Sequence, residues 1–261
     1  MIKYIFIIPY RDRMQHKTFF IRHMKHVLED IPENEYKIWF IHQLDNRPFN
    51  RGALKNIGFL VAKQAYKYYK NITFIFNDVD TVPYTKNILN YHTRHGIIKH
   101  FYGFEFALGG IFSIMGGDFE KINGFPNFWS WGFEDNCIYN RAIKNKLYVD
   151  RTSFYKIGNH NILQLFDGVV RNLSVNNIPR VKQDTGRDGV STIHDLNFYI
   201  DNDIVQIYSF EVPINHNNEF YANHDIRNGS RLTTKQFKPN NNNANTFLME
   251  IKKQSLDIIE H

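Results

Sequence analysis

The chain has 261 residues, 43% of them hydrophobic and 16% aromatic. That is long enough for a sizeable core and too apolar for a disordered chain. Lys and Arg number 32 against 26 Asp and Glu, a formal charge of +6 with no long basic block; this suits an anionic small ligand as well as nucleic acid and gives a nucleic-acid binder little support. Cys137 is the single cysteine, which excludes an intramolecular disulfide and favours a reducing compartment. The opening MIKYIFIIPYRDR is too short an apolar run for a signal peptide or a membrane span, so a soluble, cytoplasmic protein is expected.

Residues 2–8, apolar but for Lys3, run up to Pro9 and read as a buried parallel strand. Tyr10, Arg11, Asp12 and Arg13 follow at its C-terminal end, the edge where open α/β sheets bind ligands. Phe20, Met24, Val27, Leu28 and Ile31 share one helical face that stops before Pro32. A strand over 36–42, a loop over 43–50 and a helix presenting Leu54, Ile57, Val61, Ala65 and Tyr68 come next, then a strand over 72–76. This alternation is a Rossmann-like half with right-handed crossovers.

After Pro83 the pattern loosens. Residues 97–106 read as a strand, Gly109-Gly110 as a break, and 111–115 as its resumption. A short helix is expected from Gly116, with Asp118 as cap and Gly124 as stop, and a longer one over 134–146. Residues 152–160 read as a strand plus turn, 161–188 as polar loop, and 204–212 as a strand. The expected organisation is one α/β catalytic domain over 1–212 and an Asn-rich, partly mobile extension over 213–261, closed by a short helix over 247–259.

Two stretches carry candidate chemistry. In Asp78-Val79-Asp80, an extended chain throws both carboxylates to one side at a strand end. Hard oxygen donors there suit Mn²⁺ or Mg²⁺, with a nucleotide diphosphate supplying further oxygens; the structural alternative is a plain turn. His160 is the candidate for a further ligand. In Trp131-Gly132-Phe133-Glu134-Asp135-Asn136, aromatic rings stand beside paired acids at a helix start. Rings stack on the C–H faces of sugars and carboxylates accept from hydroxyls, so one acid could take an acceptor's proton and the other orient the sugar. The alternative is helix capping, with Trp129 and Trp131 as core. Arg11, Arg13 and Arg51 could meet phosphates and Phe49 could stack on a base; solvated arginines are the alternative. No Walker loop, GxGxxG, nucleophile elbow or Cys/His zinc cluster is present.

Together IIPYRDR (7–13), FNRGALKNIGF (49–59), FNDVD (76–80), GGIFSI (109–114), INGFPNFWSWGFED (122–135) and, more weakly, DGVSTI (188–193) resemble the β-1,4-galactosyltransferase family. The resemblance implies a GT-A fold, a mixed Rossmann-like sheet flanked by helices, and inverting, Mn²⁺-dependent transfer from a UDP-sugar to a glycan or glycosylated acceptor. It assigns Pro9, Tyr10, Arg11, Arg13, Phe49, Arg51, Asp78, Val79, Ala107, Gly110 and Trp131 to the donor, and Asp80 and His160 to the metal. It assigns Trp131, Gly132, Phe133, Glu134, Asp135 and Asn136 to the acceptor, with Asp135 as base. The chain departs from the family pattern in several places. Ile157 stands where a methionine ligand is usual and Asn136 where a third acid is. Ser130 replaces a glycine, and Phe133 a smaller residue. Ala107 stands where galactose-specific members carry a tyrosine, which opens room for an N-acetylhexosamine donor (UDP-GalNAc or UDP-GlcNAc) beside the first choice, galactose. The rival class is a non-catalytic glycan- or nucleotide-sugar-binding protein; release of UDP from a donor panel separates the two.

Overall fold

The structure is a computed structural model and describes residues 1–228. In chain order its strands are β1 (Tyr4–Tyr10), β2 (Tyr36–Gln43), β3 (Thr73–Asn77), β4 (Thr81–Pro83), β5 (Ile97–Gly103), β6 (Ile111–Met115), β7 (Tyr148–Asp150), β8 (Tyr155–Lys156), β9 (Ile162–Gln164), β10 (Val170–Ser174), β11 (His194–Asp201), β12 (Ile204–Glu211) and β13 (Tyr221–Asp225). The helices are α1 (Met14–Val27), α2 (Arg51–Ala65), α3 (Gly116–Lys121), α4 (Glu134–Lys144) and α5 (Asn177–Gln183).

The main sheet runs β11-β12-β2-β1-β3-β6-β5-β7, with β8 on β5. β12, β2, β1 and β3 are parallel, and β6 runs antiparallel between β3 and β5. β1 is apolar throughout because both its faces are covered. Ile5 and Ile7 point into one core with α2, while Phe6 and Ile8 point into the other with Phe20, Met24 and Val27 of α1. This is the expected mixed α/β sheet, and it aims the C-terminal ends of β1, β2 and β3 at one edge. The Tyr10–Arg13 turn, the 43–50 loop and the Asp78–Asp80 turn therefore share that edge. Asn77 pairs with Ile111, so the reversed strand β6 brings Gly109-Gly110 to the same place.

Several boundaries differ from those expected. β5 stops at Gly103, whose φ of +138° turns the chain out of the sheet. α4 ends at Lys144, where Lys146 enters the left-handed region at φ +60°. Asp118 does not cap α3; Met115 takes that place, and the Asp118 carboxylate accepts the Gly96 N–H at 2.7 Å. The stretch expected as polar loop holds β9, β10 and α5, all too short for a periodicity to show. Beyond the boundary expected at residue 212 the chain still contacts the rest of the fold. β13 pairs with β10, and the Ile214 carbonyl accepts from the buried Trp129 indole at 2.6 Å. The asparagine run at 240–243 and the helix expected over 247–259 lie outside the described residues.

Candidate active site

The site is built on the start of α2. Asn50 caps that helix, accepting the Ala53 N–H at 2.9 Å, and its amide donates to the Asn127 carbonyl at 3.0 Å. One turn on, Asn56 donates to Asn127 Oδ1 and takes the Phe125 N–H, both at 2.9 Å. Asn127 in turn rests on both oxygens of Asp188, at 2.8 and 2.7 Å. Buried amides thus zip the FNR, NGFPN and DGVST stretches together. That gives the weak DGVSTI match a physical reason: it buttresses the loop leading to Trp131.

α2 also sends two cations inward. Lys55 is 1% exposed; its Nζ lies 3.1 Å from Asp135 Oδ1, 4.0 Å from Asp78 Oδ1 and 4.5 Å from the centre of the Phe125 ring. Arg51 Nη1 lies 3.8 Å from Glu134 Oε1. Burial opposes both charges, yet the surrounding carboxylates hold both pKa values above their ordinary ones: Asp135, Asp78 and Glu134 for Lys55, and Asp78, Glu134, Asp135 and Asp80 for Arg51. The donor-side and acceptor-side acids are therefore within electrostatic reach of one guanidinium.

Glu134 and Asp135 open α4 but do not cap it. Phe133 occupies the cap position with φ +74° and no side-chain cap bond is made. Glu134 is 2% exposed, and its Oε1 has no hydrogen-bond partner; the Arg51 contact is an ion pair beyond hydrogen-bond length. Burial pushes Asp135 up to about 7, and Glu134 and Asp78 push the same way, against Lys55. Its carboxyl packs on Gly109, where an added Cβ would sit 2.6 Å from Oδ2. The next residue, Gly110, accepts the Asp78 N–H at 3.2 Å. Across these two glycines the DVD turn and the acid pair face each other.

On the donor side, Pro9 and Tyr10 are buried in the end of β1. Arg11 is engaged through Nη1. It donates to the carbonyls of Arg47 at 2.7 Å and Asp45 at 3.3 Å and lies 5.2 Å over the Phe49 ring, bracing the 43–50 loop. Arg13 ion-pairs with Asp167. Val79 is buried, 9% exposed, so it shapes the turn. Ala107 is buried too, 4% exposed, in the turn where its N–H donates to the Phe104 carbonyl.

The residues fit a divalent cation at Asp80. Asp80 is half-buried and its pKa raised, first by desolvation and then by Asp78, a repulsion that a cation relieves; Asp78 Oδ1 has no hydrogen-bond partner. Among the described residues no three His, Cys, Asp or Glu side chains converge as a metal set, so a ligand's oxygens would have to fill the shell. His160 is exposed in the turn before β9, whereas the Asp80 carbonyl is bonded by Leu165 beyond the other end of that strand. The pairing of β4 with β9 sets Gln164 opposite Thr81, and the charge of Asp167 bears on Asp80. From the β9 side, then, Gln164 and Asp167 come towards the turn that carries Asp80, joining Asp78, Arg51 and Thr81.

The tryptophan loop is tied down at Ser130 and Trp131 and has open space beside Gly132. Ser130 N–H donates to the Phe49 carbonyl and its hydroxyl to Asn172, at 2.9 and 2.8 Å. Trp131, half-buried, packs on Leu173, Val175 and Ile178. Gly132, at φ +105°, has nothing within 4 Å of where a Cβ would be. Asn136 only reaches the Phe106 carbonyl, at 3.4 Å. Trp129 is core, stacked on Phe210. Sequence reasoning missed Lys55: in FNRGALKNIGF it reads as a solvated helical lysine, and only the apolar faces around it betray burial.

Two family models match the chain: the N-terminal region of glycosyl transferase group 7 over residues 1–93, and the N-terminal domain of galactosyltransferase over 98–164. A xylosylprotein 4-β-galactosyltransferase of Caenorhabditis elegans is 31% identical over 208 residues, covering 75% of this chain and 70% of that protein. The chain belongs to the β-1,4-galactosyltransferase family. The β-1,4-galactosyltransferase 1 of Bos taurus is 34% identical over 57% of this chain, which spans only 38% of that relative's length. Among solved structures, the catalytic domain of Drosophila β1,4-galactosyltransferase 7 with xylobiose superposes with a TM-score of 0.63 at 20% identity, over 83% of this chain and 97% of that one. The likeness establishes the GT-A type fold. A second structure of the Drosophila protein, with manganese, UDP-Gal and xylobiose, gives a TM-score of 0.64. Among the described residues of this family member, no helix is long and apolar enough to cross a membrane.

Proposed function

We propose that this chain transfers a hexose, galactose first, from a UDP-sugar to a hydroxyl of a glycan acceptor, with inversion and with Mn²⁺. The observation that carries the reading is the meeting of two acids across Gly109-Gly110: Asp78 bonded to the Gly110 carbonyl and Asp135 packed on Gly109. Support for the donor, metal and acceptor classes comes from the relatives' names and from the manganese, UDP-Gal and xylobiose of the Drosophila complex.

Asp135 accepts the proton of the acceptor hydroxyl as that oxygen attacks the anomeric carbon, and the bond from that carbon to the UDP oxygen breaks on the opposite face. A carboxyl at about 7 suits a general base, being ionised often enough to accept and basic enough to pull. Glu134, with an oxygen free of hydrogen bonds, orients the acceptor. A cation held by Asp80 when the donor is bound would neutralise the departing diphosphate. Arg51, amid the same acids, adds fixed positive charge. Trp131 on its Gly132 hinge covers the donor and excludes water.

A second donor reading rests on Ala107, whose methyl offers no ring against a 2-N-acetyl group. Incubating the protein with Mn²⁺ and UDP-Gal, UDP-GalNAc, UDP-GlcNAc or UDP-Glc, each against an acceptor array that includes xylosides, tests both by mass spectrometry. A hexose added from UDP-Gal is the expected result. Addition only from UDP-GalNAc or UDP-GlcNAc would establish the second reading, and no transfer from any donor would refute both.

A further inference from the structure

We propose that Lys55 is the positioning residue of the transfer step: its ammonium clamps Asp135 Oδ1, holds the carboxylate in one orientation against Gly109, and ties the acceptor-side acid to Asp78 on the donor side. The inference rests on the transferase reading above. A lysine 1% exposed in a helix that packs on the sheet is costly unless its charge is matched. Here the match is lopsided. Asp135 lies at hydrogen-bond distance, 3.1 Å, and Asp78 at 4.0 Å, while the Phe125 ring receives the ammonium at 4.5 Å on another side. Asp135 Oδ1 is thus engaged, while Oδ2 faces the Gly109 backbone. The charged groups bearing on Asp135 come from three elements: Glu134 beside it on α4, Lys55 and Arg51 on α2, and Asp78 after β3. Lys55 is the cation in hydrogen-bonding contact, so it fixes both the orientation and the ionisation of the base.

The test is Lys55→Met, which keeps the stem and removes the charge. Transfer is followed as kcat/KM from pH 5.5 to pH 9, with Mn²⁺–UDP binding measured by calorimetry. Without the ammonium, Arg51 alone is left to oppose the desolvating site and the neighbouring acids at Asp135. The acidic limb of the profile then moves to higher pH by about one unit or more, a loss of about tenfold or more near neutrality that narrows as pH rises. Mn²⁺–UDP affinity, which Lys55 reaches only through Asp78 at 4.0 Å, changes less than kcat/KM does. A fall equal at every pH, with the limb unmoved, would overturn the proposal and leave Lys55 a packing residue. A thermal-unfolding cycle on the ligand-free protein provides a second readout that needs no activity: Lys55→Met, Asp135→Asn and the double variant. Coupling is expected, the second substitution costing less in the background of the first, even if Lys55→Met alone barely folds; strict additivity would overturn the pair. Coupling in a parent that transfers nothing would instead condemn the transferase reading and leave the clamp standing.

Discussion

Two buried charge clusters lie close together in this molecule, and they are built on opposite rules. Around Arg141 every direction is matched. The guanidinium meets both Asp184 oxygens at 2.7 Å, the Gly124 carbonyl at 2.8 Å and the Asp188 carbonyl at 2.7 Å. Around Asp135 the matching is incomplete. Glu134 Oε1 and Asp78 Oδ1 have no hydrogen-bond partners, Arg51 stands off at 3.8 Å, and Asp135 itself is pushed up to about 7. A satisfied network holds a fold; buried acids left short of donors hold free energy for a ligand's hydroxyls and a cation to release. Both clusters abut the 122–135 loop, so the first fixes the loop that the second uses.

Substitutions should separate the clusters by what they damage. Asp135→Asn keeps the shape and removes the base: kcat/KM should fall by ~10²–10⁴-fold while Mn²⁺–UDP binding survives in calorimetry. Arg141→Met should do the reverse, costing about 3–5 kcal/mol in denaturant unfolding by stranding Asp184, while the folded fraction keeps its turnover. The pH profile sharpens the contrast. Asp135 must be ionised to accept a proton, so kcat/KM should lose about tenfold per unit as pH falls below about 7 and level off above it. The smallest effect lies at neither cluster. Lys146 is exposed at φ +60° just past α4, and Lys146→Gly should raise stability by about 0.5 kcal/mol in thermal melts with activity unchanged.

The sheet was legible because β1 and β3 are apolar runs, β2 is rich in apolar residues and α2 shows a helical apolar spacing at Leu54, Ile57 and Val61, and the site's edge followed from where those strands end. The acid pair was legible only as a choice between capping and chemistry. The choice is decided by Phe133, which takes the cap position itself and leaves both carboxylates to face inward. What escaped is what neighbours decide. Arg11 and Arg13 read either as arginines that could meet phosphates or as solvated ones; the structure shows each engaged by neighbours, an aromatic ring with loop carbonyls for Arg11 and an aspartate for Arg13. His160 read as the partner of Asp80, but strand register, which one sequence does not reveal, sets Gln164 beside that turn. β13 escaped because a short polar strand in an Asn-rich context has no pattern until β10 is there to pair with it.

The proposed transfer is a single displacement in which Asp135 takes a proton and never bonds to sugar. The most direct test is the anomeric configuration of the product formed from an α-linked UDP-sugar, read by proton NMR before any equilibration. A β-linked product is the result the arrangement of Asp78 and Asp135 predicts; an α-linked product, or a hexose trapped on a protein carboxylate, would contradict it.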